Sequence, residues 1–178
     1  AWELGTIVGI ASSSVVTGRG GSGNETSMIQ IKDQKSGDRH DVKANQIFNP
    51  TPGVEALSPD NLLQLPELHH SILLNALRLR HAKDEVYSHM GDLIVAVNPF
   101  KYTIPWYQLE EMPHYLDELH HPGIPTHLRP HTWCVAHRAY VNTLQRKMNH
   151  SIIVSGESGS GKTEACKMVL NYICHASA

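Results

Sequence analysis

The residues Gly156-Glu157-Ser158-Gly159-Ser160-Gly161-Lys162-Thr163 fit the phosphate-loop pattern G-x-x-x-x-G-K-[ST] at every fixed position. A polyphosphate carries several negative charges and needs hydrogen-bond donors on many sides. Glycines open backbone conformations closed to other residues, so consecutive N–H groups can point inward. A helix starting at the loop adds unpaired N–H groups and the positive end of its dipole. Lys162 would then reach the β- and γ-phosphates as a mobile point charge. The Thr163 hydroxyl would sit on Mg²⁺, which prefers oxygen ligands in octahedral geometry. The competing explanation is a glycine-rich turn carrying an exposed lysine.

The flanking elements decide between the two. Ser151-Ile152-Ile153-Val154 is a short apolar, β-branched run and reads as a buried strand. From Thr163 to about Cys174 there is no Gly or Pro, and Ala165, Cys166, Val169, Leu170 and Ile173 recur at helical spacing. Strand, glycine-rich turn and helix, in that order, favour the phosphate site.

The rest of the chain supplies the frame. Its 178 residues suffice for one or two domains with a real core. Hydrophobic content of 40% and charged content of 18% read as globular, and a net charge of −2 gives no bulk field favouring nucleic acid. No run approaches the roughly 18 apolar residues of a transmembrane segment. No secretory signal is visible, and three cysteines argue for a reducing compartment rather than a disulfide framework.

Residues 1–50 read as a small β-rich domain. Trp2 to Ile10, Met28 to Ile31 and His40 to Ile47 are candidate strands, with a Ser/Thr/Gly loop at 11–27 and a turn at Lys35–Asp38. Strands this short and close suggest a small antiparallel barrel or sheet, against the alternative of a disordered tail. Asn49-Pro50-Thr51-Pro52-Gly53 marks the boundary, and residues 51–178 form the second domain. There Ser58-Pro59-Asp60 predicts a helix start before Asn61–Leu65, and Pro66-Glu67 opens a helix to about Arg80 with Leu68, Ile72, Leu73, Ala76 and Leu77 as its stripe. Glu85–Ser88 and Leu93–Val97 read as strand, turn, strand. The second is apolar throughout, so it should be covered on both faces. It stops at Asn98-Pro99, the strand end where open α/β sheets place ligands. Trp106–Leu119 reads as helical, broken near Pro113. Thr132 to about Met148 reads as a helix that leads into the phosphate-loop strand. Trp133 and Tyr140 read as core, Cys166 and Cys174 as small core residues, and Arg78, Arg80 and Lys83 as a helix end facing its dipole. Thirteen histidines invite a metal site, with pairs at His69-His70 and His120-His121 and with His114, His127 and His131 crowding a proline-rich loop, but their spacing favours a solvated loop.

Four stretches resemble the front part of a myosin motor head. They are Asn61–Leu65 with Leu68-His69-His70; Val86-Tyr87-Ser88 through Leu93-Ile94-Val95-Ala96-Val97-Asn98-Pro99-Phe100-Lys101; Pro130–Ala136 with Ala139-Tyr140; and Asn149 through Ser155 into GESGSGKTE. The resemblance covers residues 55–178 well and residues 1–50 loosely. It implies an α/β fold: a partial phosphate-loop NTPase core, a mixed sheet with helices, preceded by a small N-terminal β-barrel-like domain. It implies an actin-activated Mg-ATPase. Gly156, Glu157, Ser158, Gly159, Ser160, Gly161, Lys162 and Thr163 would bind the phosphates of ATP, with Thr163 on Mg. Asn98 and Pro99 would lie against adenine, and Tyr107 would complete that pocket, with Tyr102 as the alternative. Expected partners are ATP and, through parts of the head outside this chain, an actin filament, with light chains left open. The expected location is cytoplasmic, on the cytoskeleton.

The family's two switch loops, actin-binding segments and converter find no counterpart, so the expectation is a fragment with no catalytic residue of its own and little hydrolysis when isolated. Two other classes stay open: a myosin-like module that holds nucleotide without cycling, and an unrelated phosphate-loop kinase or transferase.

Overall fold

Alternating residues and one tight turn shape the first unit, Ala1–Pro50. A computed structural model describes residues 5–11, 28–33, 35–43, 47–48, 50–118, 123 and 127–178. Strands β1 (Gly5–Ala11), β2 (Met28–Asp33) and β3 (Arg39–Lys43) form an antiparallel sheet in the order β1-β2-β3. Ile10 faces Ile29, Ile31 faces His40, and a bulge shifts the β1 register between Ile7 and Gly9. The β2–β3 turn is held by the Asp33 carboxylate, which accepts the Lys35 and Ser36 N–H groups at 2.7 and 2.6 Å, while Gly37 takes a φ of +80°. Trp2 to Leu4 and the Ser/Thr/Gly stretch at 12–27 lie outside the described residues.

The second unit is Thr51–Ala178. A 3₁₀ turn at Leu62–Gln64 is capped by Asn61, whose side chain accepts from the Leu63 N–H. The cap is therefore Asn61, not Ser58. Helix α1 spans His70–His81 and starts later than Pro66-Glu67 predicts. Glu67 instead accepts from the N–H and hydroxyl of Thr51, and His69 becomes the cap by accepting from the Ser71 N–H. Leu68 is left half exposed.

Strands β4 (Tyr87–Met90) and β5 (Leu93–Ala96) form a hairpin around Gly91-Asp92. The expectation that the second strand is covered on both faces does not hold. Leu93 is 65% exposed, because β5 pairs with β4 alone among the described residues. Pro113 starts a helix rather than breaking one: α2 is Met112–Leu116, preceded by 3₁₀ turns at Pro105–Tyr107 and Leu109–Glu111. Helix α3 spans Thr132–Arg146, capped by His131 and closed by Lys147 in the left-handed region. Helix α4 spans Lys162–Ala176.

Apolar clusters hold this unit. Trp133, Cys134 and Ala136 of α3 pack with Val169 and Tyr172 of α4 and with Met112 and Tyr115 of α2. Tyr87, Ile104 and Tyr107 form another. His131 joins them and is not part of the solvated loop expected: it is fully buried as the cap of α3, its ring centroid 3.8 Å from that of Trp133, 4.7 Å from Tyr87 and 5.6 Å from Tyr107. Burial drives its pKa from 6.5 to about 3, so the ring is neutral. Its Nδ1 accepts the Trp133 N–H, and its Nε2 has no acceptor among the described residues. The Tyr172 hydroxyl donates to the Tyr115 carbonyl at 3.1 Å and takes a hydrogen bond of 2.9 Å from His137 Nδ1.

Other side chains depart from their sequence roles. Arg80 lies in the last turn of α1 as expected of a helix-end cation, but it is 3% exposed. It lies on the Ile72–Ala76 stripe of α1 and donates to Ser88 Oγ, the Tyr87 carbonyl, the Ser58 carbonyl and Asp60. Cys166 and Cys174 are exposed rather than core, because the buried face of α4 is the one carrying Val169 and Tyr172.

Candidate functional site

The phosphate-loop residues form one tight structure at the head of α4. Gly156, Gly159 and Gly161 have φ values of +149°, +78° and +94°, a region that disfavours a side chain. At Gly156 space adds a second constraint, since a Cβ there would lie 2.7 Å from Ser160 Oγ. The Ser160 N–H bonds the Glu157 carbonyl at 3.2 Å. Lys162 Nζ lies across the turn, donating to the carbonyls of Gly156 at 2.9 Å and Glu157 at 2.8 Å. Gly161 is the N-cap and offers no side chain, so no side chain caps the first turn of α4. Thr163 is exposed in that turn, and the Glu164 carboxylate beside it is held by Lys167 at 2.8 Å.

The segment leading into the loop differs from expectation. Ser151–Val154 has no ladder partner among the described residues, and Ile153 is 88% exposed, so it is not a buried strand here. With β5, α3 and the loop it walls an open hollow of about 940 Å³, onto which Gly156, Ser160 and Lys162 face.

The residues expected around the base separate. Asn98 is brought to the phosphate loop: its Nδ2 donates to the Gly159 carbonyl at 2.8 Å, and its Oδ1 accepts the Phe100 N–H at 2.9 Å. Pro99 follows it, partly buried. Tyr107 is 7% exposed and sits in the core, its hydroxyl accepting the Val86 N–H at 3.0 Å and its ring edge-on to Tyr87. Burial, and then the Glu85 charge, push its phenol up to about 12. Tyr102 is 92% exposed. Among the described residues no three His, Cys, Asp or Glu side chains gather closely enough to hold a metal ion. No helix of the described residues is long and apolar enough to cross a membrane.

Sequence reasoning missed Arg80 and the Asn98–Gly159 contact. Arg80 could have been found, because it continues the Ile72, Ala76 spacing by four residues. The contact could not, because 61 residues separate its partners.

Residues 59–178 match the model of the myosin head (motor domain) family. This chain is a member of the myosin head family. The phosphate loop, Asn98, Tyr102 and Tyr107 all fall inside the matched stretch. Relatives agree: Myosin-M heavy chain of Dictyostelium discoideum is 38% identical over 66% of this chain and 6% of its own length. The high molecular weight form of myosin-1 from Acanthamoeba castellanii is 37% identical over 65% of this chain and 7% of its own. Myosin-7 of Arabidopsis thaliana is 32% identical over 87% of this chain, so that similarity reaches into the first unit, and it covers 9% of that protein. The myosin head chain described here therefore spans under a tenth of the length of these relatives. Its described architecture is mixed helices with two small antiparallel sheets.

Proposed function

We propose that residues 51–178 are the front part of an actin-based motor domain with a phosphate-loop NTPase core, and that residues 1–50 are a small barrel-like domain ahead of it. The loop Gly156–Thr163 binds the phosphates of ATP in this proposal. The observation that carries it is the loop itself: three positive-φ glycines leading into a helix with no side-chain cap, with Lys162 folded across the turn. Lys162 then exchanges two neutral carbonyls for anionic oxygens, a stronger charge-assisted partner.

Mg²⁺ fits this donor set. Thr163 offers an exposed hydroxyl oxygen beside Lys162, and Mg²⁺ commonly keeps water and substrate phosphate as its other ligands. When bound, the ion would neutralise charge on the transferring phosphate. The base would lie along the chain leaving β5, against the backbone at Asn98 and the ring of Pro99, with Tyr107 supporting that wall from behind and Tyr102 at its solvent side. The complete protein is then an actin-activated Mg-ATPase of the cytoplasmic cytoskeleton, with the water-activating groups and actin surfaces supplied elsewhere. This chain binds nucleotide without appreciable turnover.

The test is Lys162→Ala in the complete head. Losing the charge-assisted contact costs about 1.5–3 kcal/mol or more, so ATP affinity should fall at least tenfold while the fold persists. Unchanged affinity would refute the assigned role. Actin-stimulated phosphate release by the unaltered protein separates a motor from a module that only holds nucleotide.

A further inference from the structure

We propose that Asn98 is a positioning residue for the phosphate loop rather than a reader of the base. The proposal builds on the nucleotide site above and concerns how that site is assembled.

Each end of the Asn98 amide has a protein partner, which fixes its orientation while leaving one N–H and one lone pair over. Its single carbonyl oxygen accepts the Phe100 N–H, which closes the turn after Pro99 and holds Phe100 at a φ of +53°. Its NH₂ donates to the Gly159 carbonyl at the tip of the loop. An amide flipped to face a base would leave both protein partners with the wrong polarity, since it would present NH₂ to an N–H and oxygen to a carbonyl. Gly159 is the residue that makes the contact available. At φ +78° it holds a conformation that a side chain disfavours, and its carbonyl takes the Asn98 amide. Asn98 thus fixes the orientation of the peptide at the loop tip from 61 residues away.

The fixed end of the tether lies on the β4–β5 hairpin. Val97 N–H bonds the Val86 carbonyl at 2.9 Å, immediately before Asn98, so the side chain is presented from a paired stretch of backbone. Among the described residues the loop tip has no comparable paired backbone of its own. Its internal bonds are the 3.2 Å contact from Ser160 N–H to Glu157 and the two that Lys162 makes, and Lys162 must give those up to meet a phosphate. Asn98 holds the tip while Lys162 changes partners.

A positioning residue and a base reader respond oppositely to a ligand with no base. The experiment uses the complete head, with Mg²⁺ present, and measures displacement of a fluorescent ATP analogue by ATP, GTP and inorganic tripolyphosphate. Asn98→Ala should weaken all three by a similar factor, about fivefold to tenfold for one lost hydrogen bond. The ATP-to-GTP ratio should not change, and neither should the melting temperature, because the bond is exposed. Loss of ATP affinity with tripolyphosphate unaffected would overturn the proposal and restore Asn98 to the base. So would equal affinity of variant and parent for all three ligands. If the unaltered head bound neither ATP nor tripolyphosphate, the nucleotide site itself would fall, a result visible before any substitution is made.

Discussion

Arg80 offers the sharpest check on how the second unit is held together. Its guanidinium is 3% exposed and uses all three nitrogens. Nε donates to Ser88 Oγ at 2.7 Å and Nη2 to the Tyr87 carbonyl at 2.9 Å, while Nη1 reaches Asp60 at 2.8 Å and the Ser58 carbonyl at 3.2 Å. Glu85 lies 3.7 Å away and keeps a second partner in Arg129 at 2.9 Å. Arg80→Ala strands the Ser88 hydroxyl and the Tyr87 carbonyl in the interior, at about 1–3 kcal/mol each. It also leaves Glu85 short of one cation, so the total should be about 3–5 kcal/mol. Asp60→Asn breaks the Arg80 ion pair from its solvent side. Because the Asp60 side chain is 60% exposed, that change should cost about 1 kcal/mol or less. Arg80→Lys should fall between, since an ammonium cannot reproduce the planar fork. Urea unfolding followed by tryptophan fluorescence measures all three. If Arg80→Ala cost no more than Asp60→Asn, the interior network would not be what binds α1 to β4.

Two further outcomes follow from burial. His131 has a pKa lowered from 6.5 to about 3 by desolvation, so the folded chain resists a proton that the unfolded chain accepts. Stability is then complete above pH 6.5 and falls as pH drops toward 3, by about 2 kcal/mol from this residue at pH 5. His89, also lowered by burial, acts in the same direction. His131→Asn keeps a cap for the Trp133 N–H and should remove about one proton from the acid slope, measured as urea midpoints at pH 7 and pH 5; an unchanged slope would refute it. In the native 178-residue chain Cys166 and Cys174 are exposed and should react with a thiol reagent, whereas Cys134, buried with its thiol pushed up to about 12, should react only after denaturation. Rapid labelling of all three would contradict the α3–α4 packing.

Local signals in the sequence were reliable where a few neighbouring residues decide the outcome. The glycines of the loop, the turn at Asp33–Asp38 and the run of α4 are of this kind. The stop of α3 near Lys147 also follows from local spacing. Errors arose where a distant partner decides. Helix α1 starts late because Glu67 is drawn to Thr51, sixteen residues away. Leu93 and Ile153 look like interior strand residues by composition, yet burial of a strand depends on neighbours that pattern alone does not identify. The reading of Tyr107 at the base is of another kind: it rests on the resemblance alone, and the fold adds that its hydroxyl accepts from Val86 while Trp106 and Tyr87 confine its ring. Arg80 continues the α1 stripe by spacing, but its burial rests on partners as distant in sequence as Ser58 and Asp60.

The anchoring of α4 has a mechanical side. From Thr163 to Tyr172 the helix runs about 13 Å at 1.5 Å per residue. Its far portion is clamped by Val169 and Tyr172, the latter gripping both Tyr115 and His137, while its first turns meet solvent. It is therefore a beam fixed at one end and loaded at the other. A push or pull at the loop would reach the rest of the unit through Val169 and Tyr172, where a phenol bonds a backbone carbonyl.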